Sequence, residues 1–234
     1  MAANQQLMMS HKVASGGSSF DIGASAKGVP SGSNDTATTN AVTTQSSGST
    51  FIIDVCWDNS ATITTISDSK SNTYTIQGTV QGNSGGQSKG VRYICVNGTG
   101  GASHTATVLC SNTGAFPSIF FTEIKGGLTS GIVDIHIQGQ DDTSPFGAST
   151  GTLAQANECV VSFFVSFTTI PPTCNHSVTG DGFTLLQQTT DFNTAWVGAT
   201  GAVKVAATTA ITPQWTETNT SAGAIVITTS FKGP

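Results

Sequence analysis

Charge is the first thing this chain lacks. Only 9% of its residues are Asp, Glu, Lys or Arg, against roughly 25% in ordinary soluble domains. Arg92 is the only arginine, and the seven lysines (Lys12, Lys27, Lys70, Lys89, Lys125, Lys204, Lys232) are scattered along the sequence. Phosphate recognition needs clustered Lys and Arg, and anionic lipid attracts polybasic segments. The scarcity therefore speaks against nucleic acid and against membrane as partners. Long apolar runs are missing as well, none approaching the roughly 20 residues of a membrane-spanning helix. The first twelve residues, Met1 to Lys12, have neither the basic nor the apolar region of a secretory signal peptide, so synthesis in a cytoplasm is expected. Cysteine occurs in an odd set without framework spacing: Cys56, Cys95, Cys110, Cys159 and Cys174. Reduced thiols are the better reading, with the first four acting as small hydrophobes inside strand-like runs. Helix signals are lacking too, since the longest candidate, Leu153 to Glu158, is too short to stand alone.

What the chain does have is apolar and hydroxyl-bearing strand sequence. It is 37% hydrophobic, with 12 Phe residues, and burying a large apolar side chain contributes roughly 1.5 to 3 kcal/mol. A core needing neither disulfide nor metal is within reach. Residues 1–48, rich in Gly, Ser, Thr and Asn, read as a flexible N-terminal arm with one polar edge strand over Thr36 to Thr44. From residue 49 onward, strand-like runs alternate with turns at spacings of about 8 to 15 residues. Four of these runs recur. Phe51 to Trp57, Asn72 to Ile76, Val91 to Ile94 and Phe120 to Gly126 are followed, in the same order, by Cys159 to Val165, Gly182 to Leu186, Thr194 to Val197 and Ile227 to Gly233. Aligned positions differ by 103 to 110. The expected fold is thus all-β, a single two-sheet β-sandwich of jelly-roll or Ig-like kind with roughly 12 to 15 strands. Its sandwich, 49–234, is built from repeated halves 49–126 and 157–234, joined by a connector, 127–156, in which Ile132 to Ile137 reads as one strand. Period-two alternation predicts that Ile53, Val55, Phe121, Val161, Phe163 and Ile227 point into one shared core.

Residues suited to chemistry are few. Asp141-Asp142 is the only adjacent carboxylate pair, and Thr143-Ser144-Pro145 beside it marks a solvated turn. Cys174-Asn175-His176 puts a thiol near an imidazole but lacks a second pair at zinc spacing. His11, His104 and His136 are isolated. Asp54, Asp58 and Asp68 do not follow a calcium-loop spacing, and Asp68-Ser69-Lys70-Ser71-Asn72 has hairpin-loop composition. Asn34, Asn97, Asn175 and Asn219 open N-x-Ser/Thr triplets, which a Ser/Thr-rich chain produces by chance. No catalytic, cofactor or metal residues are assigned, and the chain reads as no enzyme. Trp57, Trp196 and Trp215 read first as core or sheet-edge aromatics. They are also the residues that a sugar-binding site would use.

Trp57-Asp58, the stretch Asp68 to Tyr74, the aromatic strand around Tyr93, and Phe121-Thr122-Glu123-Ile124 together resemble an Ig-like or jelly-roll β-sandwich module of tailed-bacteriophage virion proteins. The similarity runs from about residue 36 to Phe231-Lys232-Gly233. Cys56 and the Cys174-Asn175-His176 loop depart from it. The resemblance implies a structural role without catalysis: a capsid decoration or cement subunit, or a tail accessory, located in the virion and made in the host cytoplasm. Its implied partners are other virion proteins and further copies of itself in a homo-oligomer. The alternative is a carbohydrate-binding or receptor-binding fibre tip that takes a host-surface glycan.

Overall fold

The computed structural model describes residues 20–30, 34–167, 176–189, 196–217 and 223–234, and the side chains of Phe167, His176, Trp196 and Val197 are not among what it describes. Most of the proposed arm, together with Cys174 and the Trp196 ring, lies outside the described residues. The chain is an all-β sandwich of antiparallel sheets. One five-stranded sheet has the order β1 (Asp21–Gly28), β8 (Ser118–Lys125), β3 (Ser47–Asp58), β6 (Ser88–Thr99), β5 (Thr75–Gly82). The other runs β12 (Thr184–Gln188), β13 (Trp196–Val205), β10 (Glu158–Phe167), β15 (Ala224–Lys232), β9 (Val133–Asp141). A three-stranded sheet, β2 (Thr36–Thr38), β7 (Ala106–Cys110), β4 (Ile63–Asp68), and a two-stranded one, β11 (His176–Thr179), β14 (Gln214–Glu217), complete the set.

Why these strands stack follows from their two buried faces. Along β3, Phe51, Ile53, Val55 and Trp57 face Ala37, Val108 and Ile66 of the three-stranded sheet. The alternate residues Ile52 and Cys56 face the second five-stranded sheet, and Cys56, with Phe120 of neighbouring β8, packs against Phe163, Val165, Ile225 and Ile227. β10 does the same in reverse. Val160 and Phe164 pack with Val178 and Trp215 of the two-stranded sheet, while Val161, Phe163 and Val165 look inward. A strand covered on both sides reads as a nearly continuous apolar run, as Phe51 to Trp57 does. The two-sheet sandwich is therefore the middle of a deeper stack, with a small sheet on each outer face.

Duplication is visible in the ladders. Read from one edge, β1-β8-β3-β6-β5 corresponds to β9-β15-β10-β13-β12. Ile53 lies between Phe121 and Tyr93, as Ser162 lies between Thr228 and Gly201. Thr75 pairs with Ile94 and Thr184 with Ala202. Even the outer sheets agree: Val108 is flanked by Ala37 and Ile66, and Trp215 by Phe146 and Val178.

Three details differ from the sequence reading. The ladders match Phe51 to Val160, one residue on from Cys159, and Tyr93 to Gly201, five residues on from Trp196; an odd slip of either size turns every side chain to the opposite face. The single shared core is also corrected: Ile53, Val55 and Phe121 belong to a core inside the first half, whereas Val161, Phe163 and Ile227 lie between the halves. Each half thus has its own core and contributes one face to a common one. The ordered sandwich begins earlier than expected, for Asp21–Gly28 is the edge strand beside β8. Its short side chains carry little apolar signal, and it is held by backbone pairing and by Glu123.

Candidate functional site

Among the described residues, the densest polar cluster is built on the turn after β4. Asp68 Oδ1 accepts the backbone N–H groups of Lys70 and Asn72, each at 3.0 Å, so the segment is the turn its composition predicts. Its second oxygen goes further. Oδ2 accepts Asn72 Nδ2 at 2.7 Å and the Tyr74 hydroxyl at 2.8 Å, and lies 2.9 Å from His104 Nε2. The other ring nitrogen of His104 is 3.0 Å from Thr44 Oγ1. Burial of Asp68 works to raise its pKa, but the hydrogen bonds from Asn72, His104 and Tyr74 outweigh it and hold the carboxyl below its ordinary value. Burial and the neighbouring Asp68 push the Tyr74 hydroxyl strongly upward.

Carboxylate, imidazole and hydroxyl in this order is an arrangement that nucleophilic catalysis uses. Access decides against it here. The His104 side chain is wholly buried, edge-on to Phe51 at 4.7 Å and against Phe121 at 4.8 Å. Thr44 Oγ1 already accepts the Gly101 N–H at 3.0 Å. The cluster is a strut tying β4, the Val42 to Thr44 segment and the His104 turn to the first core.

Two other buried polar groupings, the Arg92–Asp54 pair and Glu123, also serve as ties. Arg92 donates to Asp54 through Nε at 2.7 Å and Nη2 at 2.8 Å, and through Nη1 to the Val161 carbonyl of the second half at 2.8 Å. Burial raises the Asp54 pKa against the downward pull of Arg92. Glu123 accepts Ser49 Oγ at 2.6 Å, Gln45 N at 2.8 Å and Ala24 N at 3.1 Å. A Cβ on Gly23 would collide with the Glu123 carboxyl, which explains a glycine in β1 where its register shifts. Sequence reasoning missed His104, Arg92 and Glu123 as a group. One signal was present: Asp54 is a lone carboxylate in an apolar run and requires a buried cation, for which the single arginine is the natural partner.

The residues singled out in the sequence do not converge. Trp57 and Trp215 are buried, donating Nε1 to the Ala61 carbonyl and to Ser162 Oγ, each at 2.9 Å. Neither ring is open to a sugar, which corrects their assignment as ligand-contacting aromatics. Asp141 accepts the N–H groups of Thr143 and Gly147, and Asp142 accepts Gln140 Nε2, as turn carboxylates do. Asp58 caps its own turn through Ser60 N. Asp54, Asp58 and Asp68 thus occupy three separate environments. His136 bridges Thr229 and Gln138. Cys174 and the His176 side chain lie outside the described residues. No group of three metal-ligating side chains occurs among the described residues.

The surface offers a different feature. Of the four exposed large hydrophobics among the described residues, Ile76, Val80 and Ile137 lie on β5 and β9, the edge strands of the two five-stranded sheets. These edges are laced together by side chains: Gln138 accepts Thr79 N at 3.2 Å and donates to Thr79 Oγ1 at 2.7 Å. β5, with the sequence TIQGTVQG, contains no charged residue, although charge is what commonly keeps an edge strand from meeting another chain. Compared with known proteins, the chain matches no family model, no curated protein and no solved structure.

Proposed function

We propose that this chain is a non-enzymatic structural protein of a bacteriophage virion, a capsid decoration or cement subunit or a tail accessory, acting through contacts with other virion proteins and with its own copies. The virion setting comes from the resemblance of its Trp57-Asp58, Asp68 to Tyr74 and Phe121 to Ile124 stretches to such modules. The observation that carries the contact role is the β5–β9 seam, where Ile76, Val80 and Ile137 stand exposed; β5 has no charged residue, and the carboxylates of β9, Asp134 and Asp141, lie at its two ends. Few charges would need desolvation when such a seam is covered. Meanwhile Asp54, Asp68 and Glu123, the carboxylates buried in the first half, are engaged in internal ties. The glycan-binding alternative loses two of its three aromatic platforms to burial of Trp57 and Trp215.

The test is binding of purified variants to virions stripped of this protein. Ile76→Ser with Val80→Ser, or Ile137→Ser, should weaken binding by more than about 2 kcal/mol, as anchors do. Asp141→Ala with Asp142→Ala should stay within about 1 kcal/mol, in the range of surface substitutions. Equal binding by all variants would exclude the seam. Hydrolysis of cell-wall glycan or peptide that is lost in the Asp141/Asp142 variant would overturn the structural reading altogether.

A further inference from the structure

Three neighbouring strands of the second half bring an amine and two carboxyl groups together. Glu158 opens β10 directly opposite Lys232 of β15. On the other side of β15, the ladder to β9 changes register between Thr229 and Phe231. There Ile135 N is caught by Ser230 Oγ at 3.1 Å, and Asp134 comes to lie beside Lys232, with Nζ 4.0 Å from Oδ1. The backbone around them is pinned: Lys232 N donates to the Ile132 carbonyl at 2.7 Å, and Gly233 N to the Asn157 carbonyl at 3.0 Å.

The Asp134 carboxyl is also polarised. Its Oδ2 accepts the Ala154 N–H at 2.8 Å, leaving Oδ1 as the oxygen nearest the amine. Glu158 is wholly buried, and its Oε2 has no hydrogen-bond partner. Burial raises the Glu158 pKa; Ser230 works against this, and the adjacent Asp134 adds to it. A carboxyl of this kind holds a proton at a pH where an exposed glutamate has lost it.

We infer that Lys232 and Asp134 react with each other to form an intramolecular amide, with Glu158 carrying the protons. The charges balance, for an ammonium and a carboxylate become an amide and one water. The Lys232 ammonium first passes a proton to the Asp134 carboxylate, leaving a neutral amine and a neutral acid. The Nζ lone pair then attacks Cγ and forms the Nζ–Cγ bond. Negative charge collects on Oδ2, where the Ala154 N–H already points, as an oxyanion donor must. Glu158 protonates Oδ1 while its carboxylate takes a proton from Nζ, the Cγ–Oδ1 bond breaks with its electron pair on oxygen, and water leaves. Glu158 finishes as it began. No oxidant, metal or cofactor enters. The 4.0 Å is measured to Oδ1, whereas Cγ is the atom attacked and must come within roughly 3 to 3.5 Å of Nζ, so a rotation of the lysine side chain precedes bond formation. The product is a covalent staple between the edge strand β9 and the C-terminal strand β15.

The experiment is the intact mass of the full-length folded protein, followed over days, with peptide mapping after denaturation and proteolysis. Wild type should weigh one water less than its sequence, and the map should show the Asp134 peptide joined to the Lys232 peptide. Lys232→Arg, which keeps the charge but cannot form this amide, should show the full sequence mass. Glu158→Gln, checked for folding by circular dichroism, should react at least about a hundredfold more slowly, the scale of general acid–base assistance. Folded wild type that keeps its full sequence mass would overturn the inference without recourse to any variant. So would a water loss that maps to a linear peptide, which marks a cyclic imide at an aspartate. Formation of the bond at the wild-type rate in Glu158→Gln would remove Glu158 from the reaction.

Discussion

Arg92 grips Asp54 with two parallel donors, at 2.7 and 2.8 Å, between the two five-stranded sheets, and its third contact crosses to the Val161 carbonyl. The other half shows what this costs. At the positions equivalent by register, the second half carries Phe163 paired with Thr200, so the fold accommodates an uncharged pair there. Removing one partner leaves a buried charge uncompensated, whereas replacing both with apolar groups removes the desolvation cost as well. Arg92→Ala alone should therefore destabilise the protein by about 3 to 5 kcal/mol, and the double variant Asp54→Leu with Arg92→Met should return close to wild type. Urea unfolding midpoints of the two single variants and the double variant decide it, and a double variant no better than the singles would refute the argument.

Asp68 sets a pH dependence whose sign follows from its surroundings. Its folded pKa is held below the ordinary carboxylate value despite burial, by donors from Asn72, His104 and Tyr74. A group with a depressed folded pKa contributes stability that is present above its unfolded pKa and is lost as the pH falls through the folded one. Asp68→Asn should thus be destabilised at neutral pH, by about 1.5 to 3 kcal/mol if one charge-assisted hydrogen bond is lost. Its stability should fall less steeply than wild type as the medium is acidified below about pH 4. Parallel stability curves over that range would show that His104 and Tyr74 do not depend on the charge of Asp68.

The thiols give a third expectation. Burial pushes Cys56 and Cys159 up to about 12 and Cys110 up to about 11, and Cys95 is raised for the same reason. All four are free and buried. A thiol reacts as its thiolate, so a Cys174→Ser variant should be inert to a disulfide-exchange reagent at about pH 8, where an ordinary thiol near 8.5 reacts. It should release all four equivalents in denaturant. Rapid labelling of the folded variant would mean that the central core, which holds Cys56 and Cys159, or the first-half core, which holds Cys95 and Cys110, opens easily.

Much of the architecture was legible before any coordinates. Phe51 to Trp57 could only be a strand covered on both faces, since apolar side chains at consecutive positions of an extended chain project to opposite sides. The recurrence of Phe120 to Gly126 as Ile227 to Gly233 held in register: Phe120 and Ile227 both lie in the central core, and Ile124 and Phe231 both lie in its continuation. The match of Phe51 to Cys159 failed by one position because in runs of Val, Ile and Phe neighbouring registers are almost equally apolar. Only hydrogen bonding to the next strand distinguishes them.

The polar ties were beyond such reading. Asp68 and His104, Asp54 and Arg92, and Glu123 and Ser49 are separated in sequence by 36, 38 and 74 residues, and local pattern contains no trace of distances set by sheet packing. For Asp134, Glu158 and Lys232 the reason is sharper, since their meeting depends on a register change between β9 and β15 that no composition announces. By itself the sequence determined the class of fold, the duplication and the shortage of charge, because these depend on side-chain type and period alone. Which face each residue serves, which tryptophans are sealed and which ionisable groups meet were decided by the tertiary structure, because burial and close approach belong to pairs of strands and not to single ones.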